Sequence, residues 1–203
     1  VSKGSNDVAY LVLQGDPATS KTRLRDVLSQ DQRQRLTRYC LERVKQAVGT
    51  SDLYMLAENH AAAAEGTLLG IPSLLQQGSE LNEALTQAVT STALGRYRAI
   101  AIIPNDLPFL TSLTTYETRP SPQCLITPDA HLSGTNLLRV PTSMQAPRFA
   151  FGDNSFFSHL ELAATAGLAI EVHPSSGAFD IDTANDLVLA RETFPHAELW
   201  SIL

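Results

Sequence analysis

The chain is short of several things, and each shortage removes a class of protein. Only two of its 203 residues are cysteine, Cys40 and Cys124, and they form no C-x-x-C pair. Two isolated thiols build neither a zinc framework nor a disulfide scaffold, so both are expected reduced and buried in a cytoplasmic protein. Basic residues are outnumbered, 15 Lys and Arg against 21 Asp and Glu, for a net charge of −6. That balance argues against a nucleic-acid partner, which would need a basic face. No apolar run approaches the roughly 18 residues a membrane span requires, so no membrane partner is expected. No signal peptide is visible: residues 1–7, VSKGSND, are polar and read as a disordered tail. No repeat, low-complexity tract or linker divides the chain, which leaves residues 8–203 as one domain.

What is present is ordinary for a globular protein, at 43% apolar and 18% charged residues. Apolar runs and helical periodicities alternate. VAYLVL (8–13) reads as a buried strand, and SQDQRQRLTRYCLERVKQAV (29–48) as a helix. Its Ser29 and Gln32 stand at capping-box spacing. DLYMLA (52–57) and IPSLLQQ (71–77) read as strands, and ELNEALTQAVTSTAL (80–94) as a helix. RAIAIIP (98–104) is nearly all apolar and therefore central. QCLITP (123–128) and LAIEVH (168–173) are further strands, while 154–167 and 183–194 are helices. The proline-rich stretch from Arg119 to Arg148 reads as an insertion or flap. Strands alternating with helices imply an α/β fold, a mostly parallel central sheet with helices on both faces.

In such sheets ligands sit beyond the carboxyl ends of the strands. After the first strand comes GDPATSKT, Gly15 to Thr22. It differs from the phosphate-binding signature G-x-x-x-x-G-K-[ST] only at Ser20, where the second glycine should be. Pro17 also removes an N–H donor, and the strong helical pattern begins only at Ser29, which counts against a P-loop. Asn105 and Asp106 follow the central strand. Asp129, Gly134, Thr135 and Asn136 follow the next, and Asp180 and Asp182 come after the last. Three carboxylates and a lysine at strand ends suggest phosphate chemistry with a divalent metal.

Several stretches occur in a fixed order: SKTRL, LSQDQRQRL, GSELNEAL, IIPNDLPFL, ITPDAHLSGTNLLRVP, FGDNSFFSHLELA and FDIDTANDL. Together they resemble the guanylyltransferases of coenzyme F420 biosynthesis, the CofC or FbiD family, from about Lys21 to Leu187. That family is similar to molybdenum-cofactor guanylyltransferases. The resemblance implies a single-domain Rossmann-like nucleotidyltransferase fold. It also implies transfer of GMP from GTP to a phosphorylated three-carbon acid, with release of pyrophosphate. The acids are 2-phospho-L-lactate, phosphoenolpyruvate or 3-phospho-D-glycerate, Mg²⁺ is the cofactor, and homodimers occur.

Carried over residue by residue, the resemblance makes Asp106, Asp180 and Asp182 the metal ligands, with Asp106 and Lys21 catalytic. Gly15, Lys21 and Asn82 fall on the nucleotide side, and Thr135, Gly152 and Ser155 hold the acid. The chain departs from the family pattern at Asn105, where alanine is more usual, and at Ala184, where proline is. Plainer roles stand beside these. Asp182 can cap the last helix, Asp106 can shape a turn, Lys21 can be a solvated loop charge, and Thr135 and Ser155 can be turn or cap residues. His131, His159 and His173 lack metal-ligand spacing, and mid-helix His159 reads as packing. A nucleotide-binding regulatory protein without turnover and a P-loop hydrolase are the alternative functions.

Overall fold

The structure is a computed structural model that describes residues 7–118, 123–145, 148–175 and 178–203. Strands β1 (Val8–Gln14), β2 (Asp52–Ala57), β3 (Ser73–Leu75), β4 (Ala99–Pro104), β5 (Gln123–Pro128), β6 (Thr135–Pro141) and β7 (Ala169–Val172) form one sheet. Their order is β3-β2-β1-β4-β6-β5-β7. The pairings β2–β3, β1–β2, β1–β4 and β5–β7 are parallel, and β6 runs antiparallel to both β4 and β5. The sheet is thus mostly parallel with one reversed strand, and β4 lies at its centre.

Among the described residues, seven α-helices accompany it: α1 (Gln30–Val48), α2 (His60–Leu68), α3 (Leu81–Thr90), α4 (Thr114–Thr118), α5 (Ser155–Thr165), α6 (Ala184–Thr193) and α7 (Leu199–Ile202). Side chains alternate across a strand, so each central strand feeds two cores. Val8, Tyr10 and Val12 of β1 pack with Leu41 and Val44 of α1 and Ala62 of α2. Ala9 and Leu11 pack with Leu85 and Val89 of α3 and Phe156 and Ala163 of α5. A third cluster joins Leu24, Leu36, Cys40, Phe109, Ile181, Ala190 and Leu199. The helix at 29–48 starts as its sequence suggests: Ser29 Oγ accepts from Gln32 N–H, and the Gln32 side chain accepts from Ser29 N–H.

Two elements depart from the sequence reading. The stretch expected as a flap carries, besides the expected strand β5, the unexpected strand β6, and both belong to the sheet. All seven residues of β6 are buried, including Asn136 and Arg139. Helix α2 was unforeseen. Residues 1–6 of the expected tail lie outside the described residues. The Asp7 carbonyl accepts from the Arg98 and Ala99 amides.

Because β6 is reversed, its first residue meets the carboxyl ends of the parallel strands at one edge. Residues 14–21, 104–106, 129–136 and 178–182 gather there.

Helix α2 approaches β2 and β3 closely at Gly66. A Cβ there would lie 2.6 Å from Ser73 Oγ, 3.0 Å from Met55 Sδ and 3.1 Å from the Ile71 carbonyl oxygen. The serine can turn away, but the carbonyl cannot. Gly66→Ala should therefore cost about 1–3 kcal/mol in chemical denaturation, the usual range for overpacking; an unchanged midpoint would show that α2 can shift freely.

Candidate functional site

The loop after β1 is not a P-loop. Lys21 has a positive φ of 56°, and only a single 3₁₀ turn, Thr22–Leu24, follows it before α1. Ser20, the residue that breaks the signature, hydrogen-bonds Thr37 at 3.0 Å. Since the Thr37 hydroxyl donates to the Arg33 carbonyl, Ser20 is the donor and pins the loop to α1. Asp16 shapes the other end: its Oδ1 accepts from Ala18 N–H, and its own N–H donates to Glu58 Oε2 at 2.8 Å. Gly15 sits beside that carboxylate, where a Cβ would come within 3.3 Å of Glu58 Oε2.

Leu24 and Ile181 meet in the third apolar cluster, and this brings the Lys21 loop against the segment before α6. The Lys21 ammonium, only 6% exposed, donates to the Ile181 carbonyl at 2.7 Å and to Asp182 Oδ1 at 3.1 Å. Asp106 Oδ2 lies 4.0 Å away. Lys21 is therefore not a solvated loop charge. Asp182 does not cap α6 either, because Thr183 does so in a capping box with Asp186. Arg23 stands at the rim, 3.9 Å from Asp182 Oδ2.

Asp106, Asp180 and Asp182 each offer an oxygen within 4.8 Å of the others. Asp180 accepts from Asn136 Nδ2 at 2.9 Å, and the same amide donates to the Ala178 carbonyl at 2.6 Å. Asp106 Oδ1 is shielded from water and has no hydrogen-bond partner among the described residues. Burial raises the Asp106 carboxyl well above the usual carboxylate range; Lys21 opposes the shift, and the Asp182 and Asp180 charges add to it. Burial likewise raises Asp180, against the hydrogen bond from Asn136. Burial alone would lower the Lys21 ammonium, but Asp106 and Asp182 overcome it and raise it. One ammonium among three carboxylates leaves net negative charge in a confined space. Hard oxygen donors with an orphaned buried oxygen fit a divalent cation.

On the opposite face of β6, Thr135 is buried and its Oγ1 lies 2.9 Å from His159 Nδ1. Ser155, also buried, opens α5. Gly152 has φ 135°, a conformation side chains rarely adopt, and the space where a Cβ would project is open. The loop before β6 is built by Asp129, which accepts from the His131 and Ser133 amides and the Ser133 hydroxyl. Phe156 N–H donates to the Ser133 carbonyl, joining this loop to α5. Thr135, Gly152 and Ser155 thus share one end of the sheet. Asn136, next in sequence to Thr135, reaches the acidic cluster from the other face.

Asn82 is brought to the same loop. Its amide donates to the Phe151 carbonyl at 3.0 Å and accepts from Phe151 N–H at 2.7 Å, next to Gly152. Sequence reasoning placed Asn136 at a strand end without a role and read His159 as packing. His159 is indeed buried, but both ring nitrogens are hydrogen-bonded.

Residues 11–198 match the family model described as "Guanylyl transferase CofC like". Phosphoenolpyruvate guanylyltransferase of Rubrobacter xylanophilus is 33% identical over 83% of this chain and 85% of its own length. 2-Phospho-L-lactate guanylyltransferase of Methanothermobacter thermautotrophicus is 29% identical over 83% of this chain and 77% of its own length. Among solved structures, a Desulfovibrio desulfuricans protein assigned as a nucleotide-diphospho-sugar transferase superposes with a TM-score of 0.75 at 20% identity, covering 97% of this chain and 94% of that one. The 4-diphosphocytidyl-2C-methyl-D-erythritol synthase of Anaerococcus prevotii gives 0.61 at 8% identity, covering 93% and 96%. These two likenesses support the nucleotidyltransferase-type fold.

Removing the buried ammonium strands the carboxylates, and breaking a buried ion pair typically costs about 3–5 kcal/mol. Lys21→Met should melt well below the parent. Added Mg²⁺ should recover more stability in the variant than in the parent, because it meets carboxylates that no longer have a counter-charge. Equal responses in paired melts with Mg²⁺ and with EDTA would separate Lys21 from the cation site.

Proposed function

The chain belongs to the CofC-like guanylyl transferase family, and on that premise we propose that it transfers GMP from GTP to a phosphorylated three-carbon acid, releasing pyrophosphate. Phosphoenolpyruvate is the first choice of acid, ahead of 2-phospho-L-lactate and 3-phospho-D-glycerate. Four relatives named for phosphoenolpyruvate match at 27–33% identity. The reaction belongs to coenzyme F420 biosynthesis, where the product carries an activated acid. We place it in the cytoplasm, in keeping with two free, buried cysteines. Among the described residues, no helix is long and apolar enough to cross a membrane.

The observation that carries this reading is the meeting of Lys21, Asp106, Asp180 and Asp182 at the strand ends, one residue along β6 from Thr135. In the transfer, a phosphate oxygen of the acid bonds to the α-phosphorus of GTP, while the bond from that phosphorus to the bridging oxygen breaks. A phosphate is already a competent nucleophile at neutral pH, so positioning and charge neutralisation do most of the work. Asp106, Asp180 and Asp182 would hold Mg²⁺. Bound there, Mg²⁺ supplies the positive charge that the triphosphate and the three carboxylates require. Lys21 and Gly15 serve the nucleotide side. Asn82 acts there by fixing the Phe151 backbone between the two substrates. Thr135, Ser155 and the open backbone at Gly152 take the acid, with hydroxyls and the start of α5 offered to an anion. A homodimer is compatible with this arrangement and is not needed for it.

GTP supplied with each acid should release pyrophosphate, with phosphoenolpyruvate giving the highest kcat/KM. Orthophosphate in its place would point to a hydrolase, and no release to a binding protein. EDTA should abolish turnover and Mg²⁺ restore it. Asp106→Asn should lose on the order of 10²-fold in kcat, comparable to losing one preorganised electrostatic contact; near-normal turnover would remove Asp106 from the site.

A second prediction separates the substrates. Thr135→Val and Ser155→Ala each remove one hydrogen bond to a charged ligand, about ten- to a hundredfold in the acid's kcat/KM. GTP–Mg²⁺ titrations should be almost unchanged. Weakened GTP binding with intact acid kinetics would reverse the placement of the two substrates.

A further inference from the structure

His159 has a defined protonation state. Its Nε2 lies 3.0 Å from the Ala150 backbone nitrogen, whose N–H can only donate. Nε2 therefore carries a lone pair. Burial lowers the ring to about 4, so it is neutral at ordinary pH. A neutral imidazole with its lone pair on Nε2 has its proton on Nδ1. Nδ1 lies 2.9 Å from Thr135 Oγ1, and the Ser155 backbone is a second hydrogen-bonding neighbour of the ring, so the Thr135 hydroxyl faces an N–H to which it cannot donate and from which it can accept.

The consequence falls on Thr135. A hydroxyl that accepts from His159 keeps its own proton free to donate elsewhere, and no described residue takes it. With the opposite tautomer, Thr135 would spend its proton on the ring and turn lone pairs toward the substrate, which would repel an anion. The ring is held in place around this bond. The Phe151 ring packs edge-on against it, with centroids 4.7 Å apart, and Asn82 clamps the Phe151 backbone.

We propose that His159 is a positioning residue of the transfer reaction, which by donating from Nδ1 commits the Thr135 hydroxyl as a hydrogen-bond donor to the phosphorylated acid. This rests on the reading that Thr135 contacts the acid. The arrangement recognises an anion through a fixed dipole and adds no charge beneath it.

The first test needs no substitution. Long-range ¹H–¹⁵N spectra of the whole labelled protein at pH 7 should show His159 as the neutral Nδ1–H tautomer, the minority form in free histidine. An Nε2–H tautomer or an imidazolium overturns the inference. The second test uses geometry. In His159→Asn the side-chain amide reaches the place of Nδ1 and can still donate to Thr135. In His159→Gln it reaches the place of Nε2, can still accept from Ala150, and loses the donor.

The Gln variant should raise the acid's KM about tenfold, the scale of one hydrogen bond to a charged ligand, while kcat and the KM for GTP hold. The Asn variant should restore the acid's KM. A purely structural histidine would instead make both variants track their melting temperatures. In a Thr135→Val background, His159→Gln should add nothing, and a further rise there overturns the inference. If Thr135→Val lowers acid use but His159→Gln does not, the role of His159 alone falls. If Thr135→Val itself leaves the acid's KM unchanged, the pocket reading falls with it.

Discussion

The ammonium of Lys21, buried between Asp106 and Asp182, is the contact on which the site depends. Three parts of the chain far apart in sequence must meet for it to exist: the loop after β1, the end of β4 and the segment before α6. An unpaired buried charge costs several kcal/mol, so none of the three can drift alone. Apolar packing supplies the force that brings them together. Leu24 and Ile181 are both excluded from water; Leu24 follows Lys21 by three residues, and Ile181 stands between Asp180 and Asp182. The geometry of the charges is thus written largely in the hydrophobic residues beside them.

The reversed strand β6 gives the site its second dimension. Neighbouring side chains on a strand point to opposite faces. At the start of β6 this sends Asn136 to Asp180 on one side of the sheet and Thr135 to His159 on the other. A parallel strand in the same place would present its last residues at this edge. Reversal lets two adjacent residues divide the two faces: one holds the Asp180 carboxylate, and the other meets His159.

Much of this was legible in the sequence, and the failures have physical reasons. Strands that alternate between two cores, or run apolar throughout, as β1 and β4 do, declared themselves. Helix α2 is a run of alanines and small residues, HAAAAEGTL, with hardly any apolar face to show a period. β6 hid because its buried residues include Asn136 and Arg139, so its burial does not look hydrophobic. The acidic residues were found by their places after strands. Lys21 was found by its motif, but its burial was not foreseen, because that depends on Leu24 meeting Ile181 over a long sequence separation. His159 looked like filler. Only the positions of Ala150 and Thr135 reveal that both of its nitrogens are engaged.

The order of these segments along the chain bears on how the molecule is made. During synthesis, β1 to β4 emerge first and can begin to pair, because their contacts lie within the first half of the chain. Lys21 and Asp106 are then present, but Asp180, Asp182 and Ile181 are not. The chain must carry a lysine destined for burial through most of its translation before Asp182, its nearer counter-charge, emerges. Long-range closures of this kind come late in folding. A chain halted before residue 180 is therefore more than a shortened enzyme. It holds every strand of the sheet, yet its Lys21 loop lacks both the carboxylate and the apolar partner that bury it.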